Sequence, residues 1–166
     1  KATDQLESML ERAARGEDIS ADFQAFKQYQ IAGEEIDLSA EFSILQRIFD
    51  GVSLLGDYND KIKDHTLAQG EVLSAKFISY LLRKRGVKAT FADSRRFYVT
   101  DSHFGNAQLV EDSSAKSTIQ YFTQIPKDVT PIVTGFIAAN ASGETTTLGR
   151  NGSNYSASIQ IGRAHV

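Results

Sequence analysis

Residues 132–138, Ile-Val-Thr-Gly-Phe-Ile-Ala, form a short and nearly continuous apolar run behind Pro131 and a stretch of helical pattern. A run of that length, without alternation, suits a strand buried on both faces, as in a parallel sheet. A second step of the same kind lies upstream. Residues 71–85 carry Leu73, Phe77, Ile78, Leu81 and Leu82 at helical spacing, with Lys84 and Arg85 at the end that favours cations. Gly86 follows as a left-handed cap, and residues 87–92, Val-Lys-Ala-Thr-Phe-Ala, read as a strand. Helix followed by strand, twice, is the grammar of an α/β protein.

The remainder fits around these steps. Residues 4–15 predict a helix with Leu6, Met9, Leu10 and Ala13 on one face and Gly16 as its stop. A second helix is expected over 21–32. A third covers 39–49, with Phe42, Leu45, Ile48 and Phe49 in a stripe and 52–55 as an apolar link. Residues 57–69 predict a further helix capped by Asp57 or Asn59, separate from the one that Gly70-Glu71 opens. Residues 97–100 suit a short strand, and 101–106 are rich in turn formers. Residues 113–124 suit a helix capped by Ser113 or Ser114, and 140–147 a hairpin-like excursion with Ser142-Gly143 at its tip. The expected fold is a three-layer α/β/α sandwich with a mainly parallel sheet and a helical N-terminal region.

Composition removes several functions. The 166 residues suffice for one domain with a core. A net charge of -3 gives no electrostatic case for nucleic acid, and no apolar run reaches the roughly 18 residues that span a bilayer. Without cysteine there is no disulfide, thiolate metal site or cysteine nucleophile. No signal peptide is visible, and the cytoplasm is the expected compartment. The Asn-x-Ser/Thr triplets at Asn140, Asn151 and Asn154 read as chance matches in small-residue loops. His65, His103 and His165 have no metal-ligand spacing, so no protein-bound metal is expected.

Two places suit ligand chemistry. In the stretch Leu148-Gly-Arg-Asn-Gly-Ser-Asn-Tyr-Ser-Ala157, two glycines bracket Arg150 just before a helix start. Close backbone approach, free N–H groups and a guanidinium fork suit a carboxylate or phosphate, although a plain turn with a surface arginine has the same composition. The second place is Gly70-Glu71, where the glutamate serves either a ligand or the helix dipole. Phe136, after Gly135 at a strand end, reads as core or as a site wall.

Three motifs together change this reading. Gly70-Glu71 with the following Val-Leu-Ser-Ala-Lys resembles the Gly-Glu helix start of aspartate kinases. Val133-Thr-Gly-Phe-Ile-Ala resembles their Gly-Phe-Ile strand end. Thr145-Thr-Thr-Leu-Gly-Arg-Asn-Gly-Ser-Asn-Tyr-Ser-Ala157 is similar to their long Thr-Thr-Leu-Gly-Arg-Gly-Gly-Ser-Asp-Tyr-Ser-Ala signature. Asn151 and the segment Gly51-Val-Ser-Leu-Leu-Gly56 resemble the bifunctional aspartate kinase–homoserine dehydrogenases. The resemblance spans 1–159 and implies the amino acid kinase fold. It implies transfer of phosphate from MgATP to the side chain of L-aspartate, and a homo-oligomer at full length. Its implied substrate-binding residues are Thr3, Glu71, Phe136, Arg150, Ser153 and Asn154. Arg150 would hold the α-carboxylate, Glu71 would face the ammonium and Thr3 would offer a hydroxyl. Phe136 would wall the site, and Ser153 would donate at the helix start.

Two departures qualify the match. Asn154 stands where the family has an aspartate, keeping an acceptor and losing the charge. The family's Lys-Phe-Gly-Gly strand, whose lysine reaches the phosphates, is not among these residues, and 160–166 form an atypical tail. The chain therefore reads as a partial catalytic domain, truncated at both ends, and no catalytic residue is assigned. The competing readings are a non-catalytic remnant that keeps a carboxylate pocket, and a kinase of the same superfamily acting on glutamate or carbamate.

Overall fold

A computed structural model describes residues 2–149. Four helices come first: α1 (Ala2–Ala14), α2 (Ser20–Ile31), α3 (Ser39–Leu55) and α4 (Asp60–Lys84). Then follow β1 (Ala89–Ala92), a one-turn 3-10 helix (Ser94–Arg96), β2 (Val99–Thr100), α5 (Glu111–Thr123), β3 (Thr130–Val133), β4 (Ile137–Asn140) and β5 (Thr145–Thr147). β1 and β3 pair in parallel, Ala89 beside Thr130 and Ala92 beside Val133. β2 and β4 are also parallel, and β5 returns antiparallel to β4, Ile137 facing Thr147.

The layering follows from strand alternation. On β4, Ile137 packs with Ala68 and Val72 of α4, while its neighbour Ala138 packs with Phe97, Tyr98 and the Tyr121 and Phe122 rings of α5. α4 thus covers one face and α5 the other, as the expected sandwich requires. α4 also closes the helical core, where Leu6, Leu10, Leu45, Phe49 and Leu73 are buried. Each such side chain contributes about 1.5–3 kcal/mol.

Local signals placed several boundaries well. The Asn59 side chain caps α4 by accepting from the Ile62 N–H at 3.0 Å. At the other end the Gly86 N–H donates to Arg83 O and the Val87 N–H to Leu82 O, a Schellman closure with Gly86 at φ +81°. The hairpin β4–β5 turns at Gly143 as expected.

Four expectations are corrected. The 52–55 link is the last turn of α3. The helices expected over 57–69 and 71–85 are one 25-residue helix, with Gly70-Glu71 in its interior and not at a start. Ser113 and Ser114 lie inside α5; the Ser114 hydroxyl instead accepts from Val99 N–H (2.9 Å) and donates to Val99 O (3.0 Å), tying α5 to β2. The apolar run 132–138 is two strands in separate ladders, parted at 134–136.

Candidate active site

The parting of β3 and β4 makes the site. The chain leaves the carboxyl end of β3, the customary ligand end of parallel strands. Thr134 is held there by its own hydroxyl: Ser94 N–H donates to Thr134 Oγ1 at 2.9 Å, and the two hydroxyls lie 2.7 Å apart. The Ser94 hydroxyl also donates to Ile137 O at 2.6 Å. Both residues are buried. Phe136 sits at φ +68°, a left-handed conformation that a bulky residue adopts at a cost of about 1–3 kcal/mol. Neighbours impose it. Leu148 N–H donates to Phe136 O at 2.8 Å, and Ile137 N–H to Gly135 O at 2.8 Å.

Glu71 meets this turn from α4. Its half-buried carboxylate accepts from the Gly135 N–H. Burial pushes the carboxyl above the usual carboxylate range, and the Gly135 bond opposes part of that rise. Such a partly desolvated acid suits a cation.

Gly70 has a packing role in place of the expected helix start. A Cβ there would lie 3.4 Å from Leu6 Cδ1 and 3.5 Å from both Thr3 Cγ2 and Thr3 N. The small residue lets α1 cross α4 closely and brings Thr3 beside the helix turn that carries Glu71. Phe136 touches both the helical core and the Ala68–Val72–Ile137 cluster, so it packs as core. Glu71 thus meets the turn that carries Phe136, while Thr3 packs against Gly70, the residue before Glu71. Arg150, Ser153 and Asn154 lie outside the described residues, and the approach to them ends at Gly149, at φ +69° against the Asn106 side chain.

Asp64, which the sequence reading passed over, is 1% exposed. Its Oδ2 accepts from the Gly105 N–H (2.8 Å) and the Thr147 N–H (2.9 Å), and its Oδ1 accepts from the Thr147 hydroxyl (2.7 Å). Burial raises its pKa and these bonds counter the rise. The available signal was its spacing, seven residues before Glu71 and on the same helix face. A lone aspartate in a helix ordinarily reads as solvated.

The neighbouring hollows are elsewhere. One of about 300 Å³, lined by Gly16, Asp18, Phe23 and Phe49 among others, holds none of Thr3, Glu71 or Phe136. Among the described residues no three His, Asp or Glu side chains are grouped to hold a metal ion, and no helix is long and apolar enough to cross a membrane.

Fold and site define a class. The chain belongs to the amino acid kinase family, whose model matches residues 4–160. Its relatives within that family are aspartokinases. It is 36% identical to bifunctional aspartokinase/homoserine dehydrogenase 2 of Escherichia coli, over 84% of this chain and 18% of that protein. It is 29% identical to the chloroplastic bifunctional aspartokinase/homoserine dehydrogenase 1 of Zea mays, over 96% of this chain and 19% of that one. Its structure matches E. coli aspartokinase III, solved in complex with aspartate and ADP, with a TM-score of 0.78 at 23% identity. That match covers 97% of this chain and 38% of the other. The chain thus spans about a fifth of the length of these bifunctional relatives.

Proposed function

We propose that this chain forms the amino-acid side of an aspartate kinase active site. The reaction joins a side-chain carboxylate oxygen of L-aspartate to the γ-phosphorus of MgATP. The bond from that phosphorus to ADP breaks, leaving 4-phospho-L-aspartate and ADP. This is the entry to lysine, threonine and methionine synthesis. We assign the activity to the cytoplasm, in a homo-oligomer.

The observation that carries the reading is Glu71. A desolvated carboxylate, steadied by Gly135 N–H beside Phe136 and Thr3, occurs at the positions where the family motifs fall. Glu71 receives the substrate ammonium, Thr3 offers a hydroxyl and Phe136 closes one wall. Arg150 takes the α-carboxylate through a bidentate, charge-assisted pair, and Ser153 and Asn154 complete the binding set. These residues act by positioning, which with electrostatic stabilisation makes up most of phosphoryl-transfer catalysis. Magnesium and the phosphates come with the nucleotide.

Calorimetric titration tests the reading. L-aspartate should bind, D-aspartate should not, and Arg150→Ala should abolish the heat. A folded chain that gives no heat with L-aspartate would sink it. One observation favours a second reading, a carboxylate-binding module without turnover: Asn154 replaces the family's aspartate. On that second reading the chain should form no ADP that depends on L-aspartate. Detecting it would exclude the module.

A further inference from the structure

The hydrogen bonds around the site close into a circuit that begins and ends on α4. Glu71 accepts from Gly135 N–H. The next residue, Phe136, accepts through its carbonyl from Leu148 N–H at 2.8 Å. The residue before Leu148, Thr147, donates its N–H (2.9 Å) and hydroxyl (2.7 Å) to Asp64. Asp64 lies two turns back along the same helix, about 10 Å from Glu71 at 1.5 Å per residue. The circuit has a spur, because Gly105 N–H also donates to Asp64 and its neighbour Asn106 packs against Gly149. α4, the β3–β4 break, the exit of β5 and the turn over 101–106 thus share one anchor.

We propose that Asp64 is a positioning residue for the amino-acid site, fixing the gap between Glu71 and the end of β5 that leads into Gly149-Arg150. The assignment rests on the proposed function for its substrate, but its geometry stands apart from it. Asp64 touches no substrate. It acts because the carboxylate is buried and all three of these partners are donors, two of them backbone N–H groups that no other side chain among the described residues is seen to satisfy. Without it, the β5 exit loses its tie to the helix, and the Gly135-Phe136 turn loses its support through Leu148. The arrangement also predicts which substitute works. In Asp64→Asn, the amide oxygen can take both N–H groups while the amide nitrogen donates to the Thr147 hydroxyl. Geometry would survive without the charge.

The test compares Asp64→Ala, Asp64→Asn and Thr147→Val with the unaltered chain, by amide hydrogen exchange and by titration with L-aspartate. In Asp64→Ala, protection should fall at 103–108, 134–137 and 145–149 while α1–α3 keep theirs. Aspartate affinity should drop about tenfold or more. Asp64→Asn should retain protection in all three segments and affinity within about threefold. Thr147→Val removes one bond with little change of shape and should loosen the same segments to a smaller degree; it decides the matter if Asp64→Ala does not fold. Unchanged exchange at 134–137 in whichever of these two variants folds would overturn the proposal. So would loosening of all three segments in Asp64→Asn equal to that in Asp64→Ala. If the unaltered chain gives no heat with L-aspartate, the substrate reading fails, and the exchange data still decide whether Asp64 positions the site.

Discussion

Glu71 is a carboxylate drawn partly out of water, and its stability and binding effects have opposite signs. Burial holds its folded pKa above the unfolded value. Its stabilising contribution is therefore complete below the unfolded carboxylate pKa, near 4, and is lost as pH rises through the folded value. Glu71→Gln should match the unaltered chain in thermal denaturation at about pH 4 and be the more stable of the two at about pH 7. The same variant should lose one to two decades of L-aspartate affinity, roughly the worth of one charge-assisted bond to the ammonium, read by titration. Phe136 offers a second residue-scale prediction. At φ +68°, alanine keeps the steric cost of the left-handed backbone and glycine does not. Phe136→Gly should therefore be more stable than Phe136→Ala by about 1 kcal/mol in chemical denaturation, the reverse of the usual order inside a helix or strand.

α4 is the element on which site and core meet, and Gly70 marks the crossing with α1. Glycine inside a helix costs about 1 kcal/mol relative to alanine. A methyl group at Gly70 would meet its neighbours at ordinary contact distances of 3.4–3.5 Å. Gly70→Ala should thus be neutral or stabilising by up to about 1 kcal/mol. Gly70→Leu has no room, must push α1 and Thr3 away, and should cost about 1–3 kcal/mol, measured by urea unfolding. A second tie joins α4 to α3 and β1. Lys76 of α4 pairs with the buried Glu41 of α3 and lies 5.7 Å from the centre of the Phe91 ring on β1. The helical part and the sheet part are thereby held through one helix.

At the scale of the whole molecule, this shared helix predicts cooperative unfolding. Tyr98 is buried in the sheet core and packs on Phe97, whereas most of the backbone signal comes from the helices. There is no tryptophan, and Tyr98 and Tyr121 pack in the sheet core while Tyr58 packs on the helical core, so near-ultraviolet tyrosine signals report tertiary packing in both cores. Thermal transitions followed by tyrosine and by far-ultraviolet circular dichroism should superimpose, since neither core can lose α4 alone. Two separate transitions would show that the helical region unfolds independently.

The residue pattern by itself determined what is local or carried by a long motif. The apolar spacing of α1, the Asn59 cap and the Gly86 closure are set within a turn or two of chain, and each was legible for that reason. So were the α/β alternation and the kinship with aspartate kinases. The Gly70-Glu71 pair was found by motif but misplaced, because a glycine at a helix start and one that admits a neighbouring helix look alike until the neighbour is in place. Burial was readable for Ile137 and Ala138 of β4, whereas β3 is only partly buried; the division of 132–138 into two strands was not readable, since it depends on Ser94, 40 residues from Thr134. Asp64 was invisible for the same reason. Its partners are backbone donors 41 and 83 residues away, and a carboxylate's role depends on which donors the fold delivers to it. Periodicity specifies which face of an element leaves water; only tertiary packing decides what that face, and any charge upon it, finally meets.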